Sequence, residues 1–280
     1  MAPTKHTWQG LRLEIMTPKF PPGPGAYFRP SRDYPYGQGA CFQSLSLEEV
    51  SAEFDRSIIE WEGSTCPQIL SRMFAQEQNL FPNVVITQCV RIALGTFARP
   101  ILLEEDCMYG TSDEANSSMR QLVALVKMLE MLRKTHAITD VYFQEPLFNG
   151  VEIAFLTNLG YKVLQDPEAK DKITNSTFLF APHCEHSVAT QHLQKCFPAF
   201  YVGNDPEYIL RKDQRCREAG HSSIFAPYPD IPVADTFARF AEATFVTKLY
   251  RKLNPMWQGD LTVRWLKAGS RVVDVRSDKR

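Results

Sequence analysis

The sequence predicts an α/β protein: a Rossmann-like open, mostly parallel sheet, with an N-terminal helical extension and a C-terminal helix plus short strands. Two observations carry this. From residue 84 onward, short β-branched and aromatic runs alternate about four times with segments of helical periodicity, a pattern that requires parallel strands joined by right-handed crossovers. The composition, 44% hydrophobic and 22% charged over 280 residues, supplies a packed core and excludes disordered and fibrous classes.

The elements follow in order. Residues 1–43 crowd Pro18, Pro21, Pro22, Pro24, Pro30 and Pro35 together, which rules out a long helix or a central strand. The aromatics Tyr27, Phe28, Tyr34 and Tyr36 favour a segment that wraps the domain. Ser46 and Glu49 have capping-box spacing, and Val50, Phe54, Ile58 and Trp61 share a helical face that Gly63 ends. A second helix is expected over 67–77. Val84–Ile86 and then Cys89–Gly95 read as a strand region closing on a glycine turn. A polar, acidic stretch (104–118) follows, and Ser118 with Gln121 reads as the cap of a helix whose apolar stripe, from Leu122 to Leu132, is wide enough to be covered on several sides.

Asp140–Phe143 is a strand, 151–159 a helix closing on Gly160, and Tyr161–Leu164 a strand. Thr177–Phe180 is a strand of buried type. A helix over 187–196 leads to the strand Ala199–Val202, after which Asp205 and Pro206 start a helix ending near Gly220. Phe237, Ala241, Phe245 and Leu249 place an amphipathic helix over 235–253, and 261–275 reads as one or two short strands. The chain thus divides into an arm and helical extension (1–83), a core (84–215) and a C-terminal part (216–280).

Function classes narrow from charge. Lys+Arg 31 against Asp+Glu 32 gives a net charge of −1, without the cationic excess that phosphate backbones demand, so nucleic acid is not the expected partner. No stretch approaches the ~20 apolar residues of a membrane span, and the first ten residues lack a signal-like apolar core, so a cytoplasmic or nuclear protein is expected. The seven cysteines are an odd number without a C-x-x-C pair and read as free thiols.

Three phrases, in order, carry a resemblance. They are Ile92-Ala93-Leu94-Gly95-Thr96-Phe97 before a Gln121-Leu122 helix, Val141-Tyr142 with Glu145-Pro146-Leu147-Phe148 before Leu159-Gly160-Tyr161, and Ala181-Pro182-His183-Cys184, closed by Val202-Gly203-Asn204. Over about residues 84–215 the chain resembles the Sensitivity to Red Light Reduced (SRR-like) domain family. The family's first glycine of G-x-G falls on Ala93, the Asp of its D-P on Glu145 and the Met of its M-P-H-C on Ala181. The resemblance implies a Rossmann-like fold and a role in regulation, the family being associated with light and circadian signalling, haem synthesis and the cytoskeleton. It implies a site more than a reaction.

In an open parallel sheet, ligands sit at the carboxyl ends of the strands, where every motif above falls. His183 is the candidate acid or base, against a histidine bonded to nearby backbone. Glu145 is placed to bind a ribose hydroxyl or assist as a base, against a helix-capping carboxylate. Gly95, Thr96, Asn204 and Cys184 are candidate ligand contacts. Cys184, near a helix N-terminus, is expected to have a lowered pKa unless it is a packed thiol. Neither zinc spacing is present and no metal is assigned; the cofactor stays unassigned, with haem ligation through one His or Cys open. The leading reading is a regulatory protein that binds a small ligand or a protein partner at the strand ends. Its rivals are an enzyme acting on a small organic molecule through His183 and Glu145, and a methyltransferase-like domain without activity.

Overall fold

The computed structural model describes residues 45–98, 112–228, 231–248 and 261–268. All fall in the unit Cys41–Arg280; residues 1–40, the other unit, lie outside the described set, as do the acidic residues Glu104, Glu105 and Asp106 and the C-terminal tail.

Helices α1 (Leu47–Gly63) and α2 (Cys66–Leu80) precede the sheet. The Ser46–Glu49 capping box forms in both directions, and Val50, Phe54 and Trp61 are buried as the periodicity requires. Then β1 (Gln88–Ile92), α3 (Ser112–Leu132), β2 (Asp140–Gln144), α4 (Gly150–Asn158), β3 (Lys162–Leu164), a 3₁₀ turn (Glu168–Asp171), β4 (Thr177–Ala181), α5 (His186–Leu193), β5 (Phe200–Asn204) and α6 (Pro206–Glu218) alternate as the sequence predicts. The chain closes with α7 (Val233–Ala243), β6 (Thr244–Lys248) and β7 (Leu261–Leu266).

One seven-stranded sheet results, in the order β3-β2-β1-β4-β5-β7-β6. Strands β1 to β5 are mutually parallel, and β7 is antiparallel to both β5 and β6. Strand order reverses between β1 and β4, which makes their carboxyl ends the topological switch point.

Both faces of the sheet are covered, so the central strands are apolar almost throughout. Cys89, Phe143, Phe178, Phe180 and Phe200 face α1 to α4; Val90, Ile92, Leu179, Ala181 and Tyr201 face α5 to α7. On the first face Phe200 packs between Phe178 and Trp265, with ring centroids 4.7 and 4.2 Å away, and each such pair adds roughly 0.5–1.5 kcal/mol beyond its buried area.

Three local expectations are corrected. Val84–Ile86 is irregular chain, although Ile86 is buried, and the strand begins at Gln88. Ser118 is no cap: α3 begins at Ser112, and the Ser118 hydroxyl, one turn and a half inside, donates to the Leu94 carbonyl. The wide stripe is nonetheless buried, with Leu122, Val123, Leu125, Met128, Leu129 and Leu132 all inside. The helix expected to run to residue 253 stops at Ala243, where Thr244 turns extended and its hydroxyl donates to the Phe240 carbonyl at 2.7 Å. The run Thr244-Phe245-Val246-Thr247 has strand chemistry, and it wins over a helical spacing that happens to include Phe245. Residues 249–253 lie outside the described set.

Candidate functional site

The switch point is built from two loops, one leaving β1 and one leaving β4. The β1 loop turns through two left-handed residues, Ala93 at φ 54° and Gly95 at φ 75°. This gives the G-x-G pattern its physical reason, since glycine alone adopts such angles without strain. Ala93 holds the strained conformation with a methyl group. At Gly95 a Cβ would also lie 3.0 Å from the Ser118 hydroxyl, so space as well as angle demands glycine.

Two carboxylates from the β2–α4 segment hold this loop. Glu145 accepts the Gly95 N–H at 2.9 Å on one oxygen and the Leu147 N–H at 3.1 Å on the other. Glu152, wholly buried, accepts Phe97 N–H at 2.6 Å and Ala98 N–H at 3.0 Å on Oε1. Its Oε2 accepts the Asn149 N–H at 2.8 Å, closing a capping box on α4. A buried carboxylate is tolerable only when its lone pairs are filled in this way.

Beneath the fork of β1 and β4 lies Arg91, with a relative exposure of 0%. Where two parallel strands part, carbonyls lose their partners, and the guanidinium supplies donors for them. It donates to Ile92 O and Phe180 O through one terminal nitrogen, and to Ala93 O at 3.2 Å and Gln121 Oε1 at 2.7 Å through the other. The Phe180 ring lies 5.1 Å from the guanidinium carbon. Burial lowers the Arg91 pKa to about 9, against the opposing influence of Cys184, Glu145 and Cys89, and leaves it charged at neutral pH.

The β4 loop mirrors the β1 loop. His183 is also left-handed, at φ 56°, and its N–H donates to Asn204 Oδ1 at 3.1 Å. Asn204 Nδ2 donates to the Cys184 carbonyl at 2.7 Å, so one side chain at the end of β5 clamps both residues of the turn. The His183 residue is exposed at the rim, yet partial burial of its ring and the nearby Arg91 charge hold its pKa below the ordinary imidazole value. Cys184 departs from expectation. The thiol is buried, and burial pushes its pKa up to about 12, which outweighs Arg91 and any helix effect. Gly203, before the clamp, has no room for a side chain: a Cβ would meet the Tyr201 ring and sit 2.8 Å from the Ala181 carbonyl.

Toward α5, Glu185 accepts the Ser187 and Val188 N–H groups and a bond from the Tyr228 hydroxyl. At β5's end, Asp205 caps α6 and pairs with the buried Arg264 of β7 at 2.9 Å, while Glu207 lies 3.2 Å from the same guanidinium.

The candidate residues therefore form two groups on one rim. Gly95 bonds Glu145 directly, and His183, Cys184 and Asn204 are bonded together. Arg91 ties the groups by donating to the carbonyls of Ala93 and Phe180. Thr96 lies in the β1 loop, its hydroxyl oxygen buried without a hydrogen-bond partner among the described residues. Sequence reading missed Arg91, Glu152 and Tyr228. Two signals were present: an arginine in the apolar run Cys89-Val90-Arg91-Ile92, and the capping-box spacing of Asn149 and Glu152. Among the described residues, no three His, Cys, Asp or Glu side chains gather as a metal would need, and no helix is long and apolar enough to cross a membrane.

A doubly wound α/β domain with two clamped, left-handed loops at its switch point is the class these features define. The SRR1 domain family matches residues 74–255, more than half of the chain, and the chain belongs to that family. The match is wider than the 84–215 carried by the motifs. Membership supports a regulatory or signalling domain protein. Neither the curated proteins nor the solved structures contain a match.

Proposed function

We infer that this protein is a regulatory SRR-like domain protein whose strand-end crevice, between the β1 and β4 loops, binds a small ligand. The observation that carries the reading is the pair of left-handed, non-glycine residues Ala93 and His183, one at the end of each strand flanking the switch point. Each costs roughly 1–2 kcal/mol, and strain of that kind persists only where surrounding structure over-determines it, as at functional sites. The clamps from Glu145 and Asn204 do that here. His183 presents a neutral imidazole at the rim, able to donate and to accept. The enzyme reading has less support, because among the described residues no hydrogen bond joins His183 to Glu145.

The test is native mass spectrometry and a ligand-observed NMR fragment screen on the full chain, compared with His183→Ala and Asn204→Ala. Retained or screened molecules should bind the wild type and lose roughly tenfold or more in affinity in both variants. His183→Ala should keep its stability within about 1 kcal/mol, since among the described residues its hydrogen bond is made by the backbone N–H and not by the ring. Binding that both variants leave unchanged would overturn the reading.

A further inference from the structure

We propose that the crevice takes a ribonucleoside free of phosphate groups, its ribose hydroxyls donating to Glu145; this rests on the strand-end reading above. In doubly wound domains the amides of the first strand-to-helix loop, and the helix N-termini along the same rim, are the devices that bind phosphate. Along the described part of the rim, the chain's own side-chain oxygens occupy them. The Gly95 amide is held by Glu145, and those of Phe97 and Ala98 by Glu152. The first amides of α4, α5 and α6 are held by Asn149, Glu185 and Asp205. An incoming phosphate would meet acceptor oxygens at these amides, all of them carboxylate except that of Asn149.

The two buried cations of the described rim are equally committed. Arg91 is buried, and its terminal nitrogens already bond four acceptors; Arg264 is buried against Asp205 and Glu207.

Beside the His183 ring, what the described rim offers is acceptor capacity. An ionised carboxylate offers about four acceptor positions, and Glu145 uses one on each oxygen while staying half-exposed. It stands at the end of the second strand, where this architecture places the acid that receives ribose hydroxyls. A ligand rich in hydroxyl donors and lacking phosphate matches that surface. A dinucleotide or nucleoside diphosphate does not.

The experiment is isothermal titration of the full chain with adenosine, guanosine, cytidine and uridine, each beside its 2′-deoxy form and its 5′-diphosphate. At least one ribonucleoside should bind, with the 2′-deoxy form and the 5′-diphosphate each roughly tenfold weaker or worse. Equal or tighter binding of the 5′-diphosphate, equal binding of the 2′-deoxy form, or no binding of any ribonucleoside up to about 10 mM overturns the proposal. The deletions are made on the ligand, so the test needs no Glu145 variant, whose altered bond to the Gly95 amide would disturb the β1 loop. Fragment binding that His183→Ala weakens, together with silent nucleosides, sinks the ligand class and leaves the strand-end site standing. Nucleoside binding that His183→Ala and Asn204→Ala both leave unchanged sinks the strand-end site itself, and this assignment with it.

Discussion

Glu152→Ala should cost about 3–5 kcal/mol of folding stability, a large part of the roughly 5–15 kcal/mol typical of a domain. The figure follows from what the carboxylate holds. Phe97 and Ala98 donate to one oxygen and Asn149 to the other, and the first two bonds are buried. Hydrogen bonds to a charged group contribute roughly 1.5–3 kcal/mol each, and stranding a buried donor costs about 1–3 kcal/mol. The three bonds share one acceptor group and one loop, so their losses overlap and do not sum. Glu152→Gln keeps an acceptor for the loop amides but turns an NH₂ toward the Asn149 N–H, and should cost about 1–2 kcal/mol. Urea unfolding of the full chain followed by circular dichroism measures both values. Hydrogen exchange at Phe97 and Ala98 locates the effect and should lose protection in the Ala variant before β1 does. A loss below about 1 kcal/mol for Glu152→Ala, or unchanged protection of those amides, would refute the view that one buried carboxylate fixes the β1 loop.

The two left-handed positions of that loop should respond in opposite directions. Gly95→Ala should destabilise by about 1–3 kcal/mol, because φ is 75° and the new methyl meets the Ser118 hydroxyl, whereas Ala93→Gly should be neutral or stabilise by up to about 1 kcal/mol. Urea midpoints of the two variants decide this, and equal signs would count against the loop geometry. His192, 2% exposed with Nδ1 on the Val188 carbonyl and Nε2 unpartnered among the described residues, has its pKa lowered by burial. Its folded pKa lies below the unfolded value near 6.5, so below that pH the unfolded chain binds the extra proton. Stability is therefore full above about pH 6.5 and falls as pH drops toward the folded pKa, by up to about 1.4 kcal/mol per pH unit from this residue. Unfolding free energies between pH 5 and 7.5 should show a shallower slope in His192→Phe, and an unchanged slope would remove His192 as the cause. Cys184, buried with a pKa of about 12, should resist alkylation at pH 8 in the folded chain and react once urea unfolds it; rapid native labelling at this residue would contradict its burial.

Periodicity and caps made most of the fold legible. Ser46, Glu49, Asp205 and Pro206 act at the helix starts where local rules put them, because a cap is decided within four residues of chain. The strand-end rim was legible too, since turn residues mark the ends of strands. What failed required knowledge of distant chain. Ser118 has the spacing of a cap, but its hydroxyl is taken by Leu94, 24 residues away. Phe245 keeps helical phase with Phe237, but β7 offers a pairing partner that no local pattern announces. Cys184 follows a strand and precedes a helix as an activated thiol does, yet the core on the α5–α7 face of the sheet closes over it and burial decides its pKa. Glu145 illustrates the site itself: its position at the end of β2 was readable, whereas its bond to Gly95 crosses 50 residues. Arg91 stands out in its apolar run as a buried cation, but the carbonyls it serves at the fork lie on β4, 89 residues on, and on its own loop, where no local pattern announces them.

The position of β7 bears on how the domain is assembled as it is made. This strand is the last described element in the chain, yet it slots between β5 and β6, and its Arg264 is the buried partner of Asp205. A growing chain emerging from the ribosome must therefore carry β5 as a bare edge, and β6 without a neighbour, until residue 266 is free. Bare edges invite pairing with other chains. Two of the seven strands, β7 and β6, then join the sheet in a single late insertion, so a stop codon placed just before Leu261 would leave an aggregation-prone remnant rather than a smaller working domain.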